Sequence, residues 1–388
     1  MSLSIERDSL SLNLIKLMFV ALTLDMGGDF GVRNGVLALC AVGLLWINGV
    51  VLPKGWLLAY GLLVTCPAMS LLLGVVNASD TSISLSQFQS TALAFLIFLL
   101  IYKLPYQETT KALVFAISIA ACVAVFLAIG LILGVDSASV ILTAMAEKGG
   151  GFFGERGVGD KGVIPNVYFK STLFFVPTFV YTLFTRKYWI AILCFLALIA
   201  AVSKTGMLVS VIVAFAYLIW NKNIKCFLIG GILLSIVVFF IAQTPLFFLF
   251  EQITNNESDT VSTRVGHLES LTDLWGNNPL NLFFGFGLGS TFYSSGAGGI
   301  VSNIEIDHFN VIRKYGLLGA LIFFAWVLNT AFVAMKNSRA EIKSMGWSLL
   351  FAFLVAGTNP VLISPLFFIF LFITMAANHQ STSRNRIE

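Results

Sequence analysis

Long apolar runs recur twelve times along these 388 residues, and they restrict the possible folds more than any motif in the chain. They occupy positions 12–32, 35–53, 55–76, 87–102, 112–134, 170–185, 188–203, 206–220, 226–250, 311–335, 346–357 and 361–377. About 20 such residues carry a helix across the hydrocarbon core, where no water is present to satisfy a broken backbone. The reading is an all-α polytopic membrane protein of about 12 transmembrane helices, forming a single membrane domain over 1–388. With 58% hydrophobic residues, 11% charged residues and a mean hydropathy of +0.92, lipid must solvate much of its surface.

Lys and Arg in short loops stay on the cytoplasmic side, so their placement gives an orientation. Arg7 with Lys16, Lys54, Lys103 with Lys111, Arg186 with Lys187, Lys222 with Lys225, Lys336 with Arg339 and Lys343, and Arg384 with Arg386 fall on alternate connections. Both termini are therefore expected in the cytoplasm. A turn at 77–86, two long polar segments at 135–169 and 251–310, and short turns at Lys204 and Asn359 go to the opposite side. The same asymmetry accounts for the net charge of +4 without a nucleic-acid partner. Arg7 ahead of an apolar run imitates a secretory signal, but no small-residue cleavage pattern precedes Asp25, and a retained first helix is expected. Cys40, Cys66, Cys122, Cys194 and Cys226 stand singly in or beside apolar runs, without disulfide or metal spacing. His267, His308 and His379 do not combine with carboxylates at ligand spacing, so neither a metal nor a cofactor is expected.

The two outward segments hold the unusual chemistry. In 135–169, Glu147 and Lys148 lead into a glycine-rich stretch with Glu155, Arg156, Asp160 and Lys161, read as a mobile loop over one or two short surface helices. It is either a solvated connector or a substrate-contacting lid, and glycine-flanked Arg156 is its leading candidate ligand. In 251–310, apolar spacing predicts a helix from Thr263 to Trp275, capped by Ser262 or Thr263 and ended by Gly276, Asn277, Asn278 and Pro279. Arg264 and His267 share one face of it, with Leu271 continuing the stripe. The alternative is an interfacial helix with ordinary charges. Gly285-Phe286-Gly287-Leu288-Gly289-Ser290 lacks the lysine of a phosphate loop and reads as a structural turn.

Charge is densest at Glu305, Asp307 and His308, followed by Arg313, Lys314 and Tyr315 at the mouth of the next span. Ionisable groups entering an apolar helix cost a few kcal/mol each unless they line a polar site or pair at the membrane edge. A helix starting near Glu305 would align Glu305, His308 and Ile312 on one side and Asp307, Asn310 and Lys314 on another. Lys204 lies in a turn too short to need a charge, so an anionic partner is expected.

These elements resemble the O-antigen polymerases of Wzy type and the related O-antigen ligases, over roughly residues 190–335. Ser203-Lys204-Thr205-Gly206 is similar to the family's Ser-Arg-Thr-Gly element with Lys in place of Arg. Thr263-Arg264, Trp275, Pro279 and Gly285-Phe286-Gly287 resemble its loop helix and glycine turn. Glu305-Ile306-Asp307 ahead of Gly316 and Gly319 resembles its acidic pair before a Gly-Leu-x-Gly helix. Ligases often carry His-Asn where Glu305 stands, which favours a polymerase. The resemblance implies a GT-C-like glycosyltransferase of the bacterial inner membrane, taking undecaprenyl-pyrophosphate-linked oligosaccharide as donor and acceptor at a periplasmic site. A chain-length regulator protein is an implied partner.

The chemistry is consistent with those residue types. A pyrophosphate-linked sugar brings its own leaving group, so catalysis needs cations for the departing charge and a base for the attacking hydroxyl. Arg264, Lys204, Arg156 and Arg313 are the candidate phosphate ligands, with Glu305 the first candidate base, His308 the second and Asp307 an orienting group. His267, Lys314 and Tyr315 are further candidate contacts. Transfer to lipid A core by a ligase, or transport by a flippase, are the competing readings. A flippase would carry mid-span charges and internal repeats, whereas charge here crowds one face.

Overall fold

The computed structural model describes residues 2–49, 52, 55–77, 79–102, 104–149, 151–157, 163–220 and 259–384. The expected span at 226–250 lies outside the described residues, as do Lys54, Lys103, Asp160, Lys161, Lys222, Lys225, Cys226 and Arg386. The chain is mostly helical, at 77% helix. Among the described residues, five helices are long and apolar enough to cross a membrane, and five shorter apolar helices accompany them.

The described helices overlap the apolar runs, although the first covers 2–24 where the run spans 12–32, and five rather than twelve have the length and composition of a span. α1 (Ser2–Leu24) and α2 (Val32–Asn48) form an antiparallel pair. α3 (Trp56–Val76) contains one π-helical stretch at Gly61–Thr65, just ahead of Pro67. Proline removes an amide and crowds the preceding turn, and a wider turn accommodates it. α4 (Thr81–Ile101) is capped by Asp80, whose side chain accepts the amides of Ser82 and Ile83. These bonds hold its carboxyl below the usual carboxylate range, the side-chain bond from Ser82 contributing most. α5 (Tyr106–Ile132) packs against α1 and leads to the short surface helix α6 (Asp136–Glu147).

The glycine-rich stretch then forms a β-hairpin, β1 (Gly151–Gly157) against β2 (Val163–Phe169), rather than only loop and helix as its composition suggested. Alternation explains it: Val167 and Phe169 are buried on one face while Tyr168 lies on the other. α7 (Thr172–Phe184), α8 (Tyr188–Ala200) and α9 (Lys204–Trp220) follow. The second polar segment contains α10 (Asp259–Asn277), α11 (Pro279–Phe284) and a hairpin of β3 (Phe292–Ser294) with β4 (Gly299–Val301). α10 begins four residues ahead of the expected start, so Ser262 and Thr263 lie inside it and do not cap it. α12 (Asp307–Met335), α13 (Ala340–Val355) and α14 (Pro365–Arg384) complete the bundle.

α14 is its axis. Leu366 to Ile373 are buried on every side of the helix, against α4, α5, α12 and α13. A helix that is apolar all round belongs inside a bundle. The outer helices instead expose apolar side chains, including Leu39, Val42 and Trp46 of α2 and Leu72 and Val76 of α3. That surface is suited to lipid and not to water.

Candidate functional site

The second polar segment has a small core of its own, with Leu271, Phe292 and Ile304 at its centre and Leu274, Trp275, Val301 and Ile306 around it. α10 lies across the β3–β4 hairpin so closely that a Cβ on Gly296 would meet the Thr263 carbonyl at 1.9 Å. Side-chain bonds fasten the contact. The Ser295 amide donates to Ser270 Oγ at 2.9 Å, the Ser295 hydroxyl donates to the Gly266 carbonyl at 3.0 Å, and His267 Nδ1 meets Ser294 Oγ at 2.5 Å. His267 is buried by this packing, which pushes its pKa down; the nearby Glu305 carboxylate opposes the shift and Arg264 adds to it.

One turn earlier on α10, Arg264 Nε donates to Glu305 Oε2 at 3.0 Å. These residues lie 41 apart in sequence, and both side chains are partly exposed, at 29% and 42%. Only Nε of Arg264 is engaged among the described residues, leaving the terminal nitrogens of its fork to a ligand. The β1–β2 hairpin contributes Tyr168, whose hydroxyl pKa is raised by burial and by the nearby Glu305 charge. The Glu305 carboxylate thus contacts Arg264 of α10 and acts through space on Tyr168 of β2. Sequence reading missed Tyr168, and the β-branched and aromatic run Val167-Tyr168-Phe169 was the available signal for its strand.

Glu305 and His308 do not share a helix side. α12 starts only at Asp307, with Ile306 as its cap at φ −84° and ψ 83°, so Glu305 turns back towards α10. His308 instead enters an aromatic slot, its ring centroid 4.6 Å from Phe353 and 5.6 Å from Phe324. Tyr315 packs against the main core and, with Leu62, Cys66 and Phe368, lines a cavity of about 30 Å³. These two candidates lie away from the Arg264 and Glu305 pair.

Asp307, Asn310 and Lys314 do share a side, and a buried polar network joins them. The Leu362 amide donates to Asp307 Oδ2 at 2.5 Å, and Asn310 Nδ2 donates to Asp307 Oδ1 at 3.2 Å. Asn303 Oδ1 accepts from Asn310 Nδ2 at 3.1 Å and from Lys314 Nζ at 2.5 Å. Arg313 is fully buried. Its Nη1 donates to the Ser290 carbonyl and hydroxyl at 2.6 and 2.7 Å, and its Nη2 to the Ser302 carbonyl and Asn310 Oδ1 at 2.5 and 3.0 Å. The guanidinium also lies 5.2 Å from the Phe292 ring centroid. Its terminal nitrogens are committed to protein acceptors, so Arg313 holds the second polar segment to the bundle and is not poised for a phosphate. Burial without partners would cost several kcal/mol per charge, which explains the density of asparagine and carbonyl groups around these side chains.

The glycine segment is also structural. Its amides at Phe286, Leu288 and Gly289 donate to the Arg313 carbonyl, the Ser70 carbonyl and Gln87 Oε1. Gly287, at φ 93°, approaches α3 so closely that an added Cβ would lie 2.2 Å from the Gly74 amide nitrogen. These three amides are committed to protein acceptors and are not turned to an anion. Lys204 opens α9, half-buried behind a turn in which Val202 has φ 48°. Arg156 stands on β1 opposite Ile164. A second ion pair forms where Lys170 Nζ donates to Asp29 Oδ2 at 2.7 Å. Among the described residues, no group of three His, Cys, Asp or Glu side chains has metal-site geometry.

Fold and site together define a helical protein suited to a membrane, with an anion-competent arginine and a carboxylate at one end of an apolar bundle. Comparison with models of protein families finds none that matches, and comparison with curated proteins finds no matching relative.

Proposed function

We propose that the chain is a glycosyltransferase of the O-antigen polymerase type. In this reading about twelve spans keep both termini in the cytoplasm, and the face bearing Arg264 and Glu305 looks into the periplasm. The observation that carries the proposal is their partly exposed pair at 3.0 Å, in which the arginine fork is only partly used.

Arg264 receives the pyrophosphate of the carrier-linked donor, two parallel N–H bonds matching two phosphate oxygens. An ion pair this exposed is worth only about 0–1 kcal/mol, so a multiply charged phosphate group displaces Glu305 readily. Donor binding thereby releases the carboxylate. Glu305 then takes the proton of the acceptor hydroxyl as that oxygen bonds to the anomeric carbon. The bond from that carbon to the phosphate oxygen breaks, and the carrier pyrophosphate departs with the electron pair. A single displacement inverts the anomeric configuration. Lys204 and Arg156 remain candidate phosphate ligands, while Asp307, Arg313 and Lys314 keep the mouth of α12 in shape.

The test is purified protein in lipid vesicles with a defined undecaprenyl-pyrophosphate-linked repeat unit. A ladder of lengthening products is expected. A single addition to lipid A core would make the chain a ligase, and translocation without a new glycosidic bond would make it a transporter.

A further inference from the structure

α11 presents Leu280, Phe283 and Phe284 at spacings of three and four, which puts all three on one helix face. That face is bare, with the side chains 73%, 45% and 59% exposed, and the helix contains no charged residue. Two close backbone contacts fix its position. A Cβ on Gly316 would lie 2.1 Å from the Phe283 carbonyl oxygen, and one on Gly285 would lie 2.5 Å from the Lys314 carbonyl oxygen. The C-terminal end of α11 therefore rests on the break in α12, where Gly316 adopts φ 73° and ψ 167°.

Directly beyond that break, Leu318, Leu321 and Ile322 of α12 are exposed. At about 1.5 Å of rise per residue the first of them is about 3 Å from the break. On leaving α11 the chain passes to the end of α3, where the Asn77 side chain donates to the Phe286 carbonyl at 3.0 Å and Leu72, Val75 and Val76 are exposed. The bare face of α11 thus continues an apolar band that runs from α12 to α3, two helices long and apolar enough to span a membrane.

We infer that α11 is immersed in the adjoining membrane leaflet, with lipid acyl chains as the occupant of its Leu280, Phe283 and Phe284 face. A short apolar helix at the end of spanning helices, with its polar backbone tied to them, can lie in the interface with its side chains in the acyl region. α10 precedes α11 with only Asn278 between them, so this anchor also sets the height of Arg264 above the hydrocarbon. The inference rests on exposure and continuity and is independent of the proposed activity.

The experiment is photolabelling of the full-length protein in phosphatidylethanolamine and phosphatidylglycerol vesicles with an apolar diazirine that partitions into acyl chains, mapped by peptide mass spectrometry. Residues 280–284 should label at the level of 317–322, and roughly tenfold above exposed Thr272 and Asp273 of α10, because the reagent concentrates in hydrocarbon. A Leu280→Asp, Phe283→Asp variant should lose the label on α11 and keep it on 317–322. Background labelling of 280–284 beside a labelled 317–322 overturns the inference. Should a Leu280→Cys variant also cross-link to itself in that case, a second copy of this chain covers the face instead.

Discussion

Arg264 and Glu305 were each visible within their own motif, but their contact was not, because nothing in a linear pattern places residue 264 against residue 305. The pairing sharpens the expected behaviour of substitutions. Arg264→Ala should lower polymer formation by at least about a hundredfold, the usual loss when a donor to developing negative charge is removed. Arg264→Lys should restore little, since a point charge lacks the fork. Product ladders from purified variants decide this, and near-normal turnover by the Lys variant would reduce Arg264 to a general field effect. Glu305→Gln should bind the carrier pyrophosphate at least as tightly as wild type, because a competitor for Arg264 has been neutralised, while transfer falls by about 10²–10⁴-fold. Weaker binding with an unchanged single-turnover rate would make Glu305 a positioning group. His267 has a different consequence. Its folded pKa is depressed by burial, so the stability it lends to α10 on the hairpin is fully present above the unfolded value of about 6.5 and is lost as pH falls towards the folded value. Amide protection factors in 259–301, taken relative to the intrinsic exchange rate at each pH, should fall on acidification through that window, and His267→Gln should abolish that fall. The burial of Arg313 was hidden from sequence reading for a physical reason. Charge at a helix mouth looks the same whether it faces a ligand or is held by Ser290, Ser302 and Asn310.

At the scale of elements, the apolar runs were legible because a bilayer imposes both length and composition on a helix. The start of α4 at Thr81, ahead of the expected 87, shows where that signal ends, since an Asp80 cap extends a helix through polar residues that hydropathy does not register. The small strands were harder to read. β3 and β4 have three residues each, and β3 also packs under α10, so their local pattern carries little information. The break in α12 is the feature most sensitive to a single atom. Gly316→Ala must place a side chain at φ 73° and 2.1 Å from the Phe283 carbonyl oxygen. The conformation alone costs about 1–3 kcal/mol, and the clash adds to it. Thermal unfolding in detergent should shift downward and transfer activity should fall with it. Gly319→Ala is the matched control, since its Cβ would find Tyr315 Cβ at 3.2 Å and Cys66 Sγ at 3.5 Å, contacts that small shifts relieve.

Across the whole molecule, the proposed orientation makes a direct prediction. Asp273→Cys on α10 should react with an impermeant maleimide in intact spheroplasts, whereas Lys336→Cys beyond α12 should react only after the membrane is disrupted. The reverse pattern would invert the protein. Chelation is a separate check at this scale. If Arg264 and the other candidate cations, Lys204 and Arg156, carry the departing charge, a chelator should leave product ladders unchanged, and loss of turnover rescued by a divalent ion would replace that mechanism. The threading of 285–290 between α3 and α4 has a further consequence for how the protein is made. Asn77 bonds the Phe286 carbonyl across 209 residues of chain, and Ser70 bonds the Lys314 carbonyl across 244. At about 5–20 residues per second of synthesis, the ends of α3 and α4 wait about 10–50 s for the strand that fills the gap between them. Through that interval the cleft holds unpaired serine, asparagine and carbonyl groups at the membrane surface, and a nascent chain stalled before residue 285 should be the form most readily captured by quality-control proteases.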